Sequence, residues 1–404
     1  MNLGWLIWGV ACIACSTKTD DSGLVDDSPP APTGHEQLFV ATGEYSASPS
    51  WHAVLRFDEA EAADAVVTPA ATVPLKASTD AAGTKLLFGH GMYLWQSRNE
   101  MFVSTLFTNS ANAECAQCMP TTPSGSIAVL NNITTADGAQ TVVRHIFGGH
   151  GAGDVTGVHQ PHGLWIDEPR DLLYVANTFG HTLLVFANAS AATGNVAPAR
   201  TLTSAKLGSP ANVFLDQPAD RLFVASIATG GQANKPAILI YNRASTRDGA
   251  DDPDVRIIGT ATRLAEGNNQ TTHNVWYDPT SKLMFVGHHT NEILIYDLAG
   301  VDLDPAAPTD LELVPRVIQV NENDGDVASW SVYGLAYVAA HDRLYVSTGA
   351  TMGGPKPGAP PNAIKVYDGV SQTAASGRVA PTRVIGWSNG TTYFPPQPLW
   401  VIEQ

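Results

Sequence analysis

Six copies of one short apolar run punctuate the chain: Leu38-Phe39-Val40, Met101-Phe102-Val103, Leu173-Tyr174-Val175, Leu222-Phe223-Val224, Met284-Phe285-Val286 and Leu344-Tyr345-Val346. Repetition at intervals of this kind means that a single supersecondary unit recurs, and that each copy buries its apolar faces against the next. A second β-rich run follows each copy: Val54–Phe57, Ile127–Leu130, Leu183–Phe186, Ile238–Tyr241, Ile293–Tyr296 and Ile364–Tyr367. Five units add a third run that opens on arginine: Arg144, Arg200, Arg256, Arg316 and Arg383. An arginine on an outer strand guards it against edge pairing, so this set reads as structural.

A fourth run stands ahead of the first in five units: Gly91–Trp95, Gly163–Ile166, Val213–Leu215, Val275–Tyr277 and Gly334–Val338. Four strands per unit, with turn residues between them, describe a propeller blade. The sixth copy of the leading strand lies at the far end, where Gln397-Pro398-Leu399-Trp400-Val401-Ile402-Glu403 parallels Gln160-Pro161-His162-Gly163-Leu164-Trp165-Ile166-Asp167. The expected fold is therefore all-β: a six-bladed β-propeller of four-stranded antiparallel blades over residues 36–404. A C-terminal strand completes blade 1 and removes the open seam.

Composition bounds the partners. Of 404 residues 44% are hydrophobic, enough for a large core, and 38 acidic against 22 basic side chains leave a net charge of −16. Nucleic acid and anionic headgroups would be repelled by that balance, so neither is expected as a partner. A monomer is expected.

Residues 1–15 stand outside the fold. Leu3, Trp5, Leu6, Ile7, Trp8, Val10 and Ile13 make an apolar stretch too short to span a bilayer, which reads as a signal peptide. Its end, Cys12-Ile13-Ala14-Cys15 before the polar Ser16, resembles the lipobox of bacterial lipoproteins. That resemblance implies diacylation at Cys15, with Cys12 as the alternative, and a secreted protein held to the cell envelope, at the outer membrane, by its N-terminal lipid alone. Residues 16–35, with Asp20, Asp21, Asp26, Asp27, Pro29, Pro30 and Pro32, cannot bury enough apolar surface to fold and read as a disordered tether. In an oxidising compartment Cys115 and Cys118 favour a loop-tightening disulfide over redox exchange, and no second pair completes a four-thiolate zinc site.

The stretch from Gln160 to Asp167, through Leu173-Tyr174-Val175-Ala176-Asn177 to Gly194-Asn195-Val196-Ala197-Pro198-Ala199-Arg200, resembles the repeat of six-bladed NHL-type propellers. The likeness covers residues 36–404. It implies the fold without a function, since such propellers serve as binding platforms, lyases, lactonases and scaffolds.

In a propeller the first residues of the innermost strands gather at one mouth of the axial channel. Counting back eleven residues from Met101, Leu173, Leu222, Met284 and Leu344 reaches His90, His162, Ala211, His273 and Tyr333, and the C-terminal strand puts Gln397 at the matching point. The same face is expected to hold His150, His159, His288 and His289. Neutral imidazoles converging on an axis can hold zinc or another divalent transition metal. Position alone is similar to that of the zinc histidines in the amidating lyase among NHL-type propellers, which implies His90, His162 and His273 as ligands. A calcium site is disfavoured because the ring positions offer no carboxylate.

Two classes of function stay open. One is an envelope-anchored binding propeller that presents the loops 107–125, 228–236 and 349–362, with Gln397, His150, His159 and His288 near the ligand, to an envelope protein or a small molecule. The other is a metal-dependent lyase or hydrolase at the histidine ring, with Tyr333 as proton donor and Asn177 or Gln397 orienting substrate.

Overall fold

The computed structural model describes residues 35–42, 52–81, 86, 89–106, 124–227, 236–265, 272–288, 290–320, 330–350, 363–372, 377–387 and 399–403. Their strands form six sheets, each a blade of a β-propeller. From the axis outward, blade 2 runs Gly89–Trp95, Glu100–Thr105, Ser126–Asn131 and Val142–Ile146. Blade 3 runs Pro161–Asp167, Leu172–Asn177, Thr182–Ala187 and Arg200–Thr203, and blade 4 runs Ser209–Asp216, Arg221–Ile227, Ala237–Asn242 and Val255–Ile257. Blade 5 follows with Thr272–Asp278, Leu283–His288, Glu292–Asp297 and Arg316–Gln319, and blade 6 with Trp330–Val338, Arg343–Ala350, Ala363–Asp368 and Arg383–Gly386.

Blade 1 is drawn from both ends of the chain. Leu399–Glu403 pairs antiparallel with Glu36–Thr42, Trp400 facing Phe39, and Ala53–Phe57 and Ala71–Pro74 complete the sheet. This is the closure expected from the C-terminal repeat.

The second and third strands read as continuous apolar runs because both faces of each blade are covered by its neighbours. Buried side chains accordingly fall into six clusters, each filling the gap between two adjacent blades. In the gap that closes the ring, Leu38, Val40 and Leu55 of blade 1 meet Tyr345, Ile364 and Val366 of blade 6. Each such side chain contributes roughly 1.5–3 kcal/mol relative to exposure, so a blade without its neighbour would lose most of its stabilisation.

A polar clamp fastens the same gap. Glu36 is fully buried; its Oε1 lies 2.6 Å from His341 Nδ1 and 2.8 Å from Arg343 Nη1, and its Oε2 accepts the hydroxyl proton of Tyr345. Arg343 also binds Asp368 at 2.5 Å, so the carboxylate and the guanidinium are both answered. Glu36 stands three residues before the repeat aromatic, where the other blades carry Asn99, Asp171, Asp220, Lys282 and Asp342, all left-handed with φ of 47–62°. At that register Asp171, Asp220 and Asp342 grip the N–H and hydroxyl of Ser190, Ser245 and Ser371. Blade 1 has no turn at this point because its two inner strands come from opposite chain ends, and Glu36 is turned to the seam instead.

Blades 1 and 2 have the four strands expected, and the other four blades are one strand wider. In blades 3 to 6 the outer strand takes a short parallel partner from the following blade: Gly249–Ala250, Thr309–Leu311, Gly377–Arg378 and, across the closure, Ala65–Val66. Single contacts do the same elsewhere, Ile146 with Gly194, and Gly138 N–H with Thr72 C=O at 2.9 Å. Outer edges are thus covered by main chain, which blunts edge-to-edge association. Three of the outer-strand arginines reach the following blade, Arg256 pairing with Asp310 at 2.6 Å, Arg144 meeting Ala189 C=O and Arg316 meeting Ser371 C=O at 3.3 Å, whereas Arg383 pairs with Asp368 of its own blade.

Glu36→Gln would leave Arg343 with Asp368 as its remaining carboxylate partner and weaken the charged hydrogen bonds of the clamp, and it is expected to cost about 1.5–3 kcal/mol in urea denaturation. Truncation before Leu399 should cost at least several kcal/mol, since blade 1 would lose its innermost strand. An unchanged midpoint for either variant would remove the seam from the stability of the ring.

Candidate metal and ligand site at the channel mouth

The ladder between the innermost and second strands slips at one place in five blades. His90, Ala211, His273 and Tyr333 are each the extra residue, and in blade 3 the slip spans His162 and Gly163. A bulge bends the strand and re-aims its side chain, which explains why alternation along the strand does not place these residues by itself.

The bulges bring the three histidines together. The rings of His90 and His162 stack with centroids 3.8 Å apart, and His273 lies 5.6 Å from the first and 5.9 Å from the second. Tyr333 meets His273 edge-on at 5.9 Å. Close packing of the inner strands holds this geometry. The carbonyl of His162 accepts a hydrogen bond from Ser104 Oγ at 2.6 Å, and a Cβ at Gly91 would stand 1.9 Å from that same oxygen. Only glycine lets blades 2 and 3 approach so closely.

Burial pushes His90 well below its ordinary value, and the neighbouring His162 and His273 add to the effect. Burial alone lowers His273 to about 4. Both imidazoles are therefore neutral near pH 7, the form in which a ring nitrogen can donate its lone pair to a metal. Their donor chemistry fits zinc or a similar ion. The stacked rings would have to turn, however, because among the described residues the three groups whose ligand atoms all lie within 4.8 Å are Glu36, His341 and Glu403. Glu36 there already faces Arg343, a cation that competes with any metal.

Below the histidines the channel holds a cavity lined by Met92, Leu164, Asn212, Val213, Asn274 and Val275, among others. Its floor is aromatic. Trp165 lies 4.4 Å from Phe214, 5.6 Å from Trp276 and 5.3 Å from Trp400, while Tyr93 lies 4.5 Å from Trp400. Five blades supply these rings at one register, and blade 6 supplies Ala336.

Other residues singled out from the sequence have different employment. Asn177 accepts the N–H of His159 at 2.6 Å and donates to Gly157 C=O and Thr182 Oγ1, so both ends of its carboxamide hold the entry to blade 3. His150 lies 2.7 Å from Gly125 C=O through Nε2 and 3.4 Å from Asp154 through Nδ1, which fixes a loop. His288 is fully buried within blade 5, with Nδ1 2.5 Å from Thr290 Oγ1 and Nε2 3.3 Å from Leu264 C=O. His159 packs near Phe179 at 6.3 Å. Gln397, His289, Cys15, Cys115 and Cys118 lie outside the described residues, as does most of each long loop. Sequence reasoning passed over Asn212, Asn274 and the aromatic layer. Their signal was the register itself, one and three positions beyond the mouth residues.

No protein-family model and no curated protein matches the chain. Among solved structures it is similar to the periplasmic gluconolactonase of Pseudomonas aeruginosa, at 12% identity over 87% of this chain and 83% of that one, with a TM-score of 0.49. A chain of a nidogen/laminin complex aligns at 10% identity over 91% and 98%, with a TM-score of 0.47. The hydrazine synthase of Kuenenia stuttgartiensis aligns at 13% identity over 80% and 74%, with a TM-score of 0.43. Identities this low leave the chemistry to be argued from the residues themselves.

Burial lowers His288 to about 4 from an ordinary 6.5. Because the folded value lies below the unfolded one, the neutral ring contributes stability in full above about pH 6.5, and that contribution is lost as pH falls towards 4. The expected loss is on the order of 3 kcal/mol. Thermal melts across this window should show it, with a shallower decline in His288→Gln; an identical decline would assign the effect elsewhere.

Proposed function

We propose that this chain is an envelope-tethered binding propeller whose recognition site is the histidine-lined mouth, and that His90, His162 and His273 there hold a divalent transition metal, zinc being the natural candidate. The observation that carries the reading is convergence: imidazoles from three blades, delivered by equivalent bulges, approach to centroid distances of 3.8, 5.6 and 5.9 Å. Three nitrogen donors leave a coordination position open, through which a bound ion could hold a small molecule or a side chain of an envelope partner. A net charge of −16 favours the approach of cations to such a mouth.

A metal-dependent lyase or hydrolase is the second reading, and Tyr333 favours it. Its ring stands 5.9 Å from that of His273, so its hydroxyl belongs to the same mouth and could pass a proton to a ligand there. Asn177 contributes nothing to that reading, because its carboxamide is committed to the loop entering blade 3.

Elemental analysis and zinc titration test the proposal. The purified chain is expected to carry one metal ion, and His162→Ala to weaken zinc by roughly 100-fold or more, beyond the cost of losing an outer-shell partner. Absence of stoichiometric metal together with equal zinc affinity in the variant would overturn it. For the second reading, Tyr333→Phe should leave zinc affinity intact and abolish turnover of any substrate found.

A further inference from the structure

The innermost strands repeat closely enough for departures to stand out. One position beyond the bulge, blades 2, 3 and 6 carry Gly91, Gly163 and Gly334, whereas the adjacent blades 4 and 5 carry Asn212 and Asn274. Room for one of them is provided deliberately by its neighbour: a Cβ at Gly163 would stand 2.8 Å from Asn212 Nδ2 and 2.6 Å from its Cα. Both asparagines line the cavity between the histidine layer and the aromatic floor. Asn274 is only 7% exposed, and among the described residues the structure gives neither carboxamide a hydrogen-bond partner. Asn212 is half-buried, and neither carboxamide is among the buried polar groups left without a partner, so both open onto the cavity and offer their hydrogen-bonding groups to whatever enters it, at a register where glycine serves in three other blades.

We propose that Asn212 and Asn274 form a binding subsite, separate from the metal ligands, for a small neutral molecule or terminal group that both donates and accepts hydrogen bonds, such as a primary amide or a hydroxyl. Each carboxamide offers an NH₂ donor and a carbonyl acceptor, which matches a partner of the same mixed character. The remaining lining residues are Met92, Leu164, Val213, Val275, Leu335, Leu399 and the tryptophans, with no charged side chain among them. An ion placed there would lose part of its hydration with no countercharge in the lining, so neutral groups are favoured over charged ones. Size sets a further limit. The cavity proper is about 20 Å³, room for a water-sized group, so only the terminal group of a ligand enters it while the remainder extends into the open channel.

The subsite stands whether or not the histidines take a metal, so its test uses the full chain stripped with a chelator. Acetamide is the probe and acetate its charged counterpart of the same shape. Titration of protein carrying ¹⁵N-labelled asparagine should move two side-chain amide signals saturably with acetamide and leave them in place with acetate. In Asn274→Leu one of those signals disappears and acetamide binding should weaken by roughly tenfold, the worth of one hydrogen bond. Asn274→Gly restores the residue of the other blades and provides the same comparison should the leucine variant fail to fold. Failure of acetamide to saturate the wild type, equal affinity in the variants, or equal binding of acetate would each overturn the proposal.

Discussion

The pairing of Leu399–Glu403 with Glu36–Thr42 is the contact on which the rest of the ring depends. A blade has no core of its own; its apolar faces are covered only by the blades beside it, so a ring left open would expose two faces at once. The same strand carries Trp400 into the aromatic floor, where it packs against Tyr93, Trp165 and Trp276. Closure, the floor of the channel and the register of the mouth are therefore one mechanical unit. Glu36 reinforces it with a buried carboxylate answered by Arg343, His341 and Tyr345, a geometry available only where two chain ends replace a turn.

Around this frame the chemistry lies in the departures from six-fold repetition. At the bulged position three blades carry histidine, one carries tyrosine and one carries alanine; a step deeper two carry asparagine where three carry glycine. The two kinds of departure act in concert physically. Burial keeps His90 and His273 uncharged, which suits them to a metal and also keeps the cavity beneath free of a fixed cation. The mouth thus sets uncharged imidazoles above an interior lined by no charged side chain.

The outer rim solves a different problem. Each blade hands a short stretch of main chain to the outer strand of the blade before it, by parallel pairing in four blades and by single contacts in the others. Half-buried arginines add charge pairing across the same gaps, as between Arg256 and Asp310. Covered in this way, the outer strands present fewer unpaired main-chain groups for edge-to-edge association.

Much of this was legible in the sequence. Six aromatic-centred runs, their partner strands and the displaced sixth leading strand near Trp400 specify blade number and closure, because strand pairing in a repeat follows local hydrophobic pattern. Counting along the repeat also brought His90, His162 and His273 to a common level, since equivalent residues of equivalent strands must meet around an axis. What the sequence could not decide was which polar side chains would remain available. His150, His288 and Asn177 look no different in the chain from the mouth histidines, yet loops folded over from distant positions occupy their hydrogen-bonding groups. The parallel girdle, the Glu36 clamp and the cavity at Asn212 and Asn274 likewise arise from contacts between blades. Pattern along a strand determines which residues are equivalent; only the packing of one blade on the next determines what each of them touches.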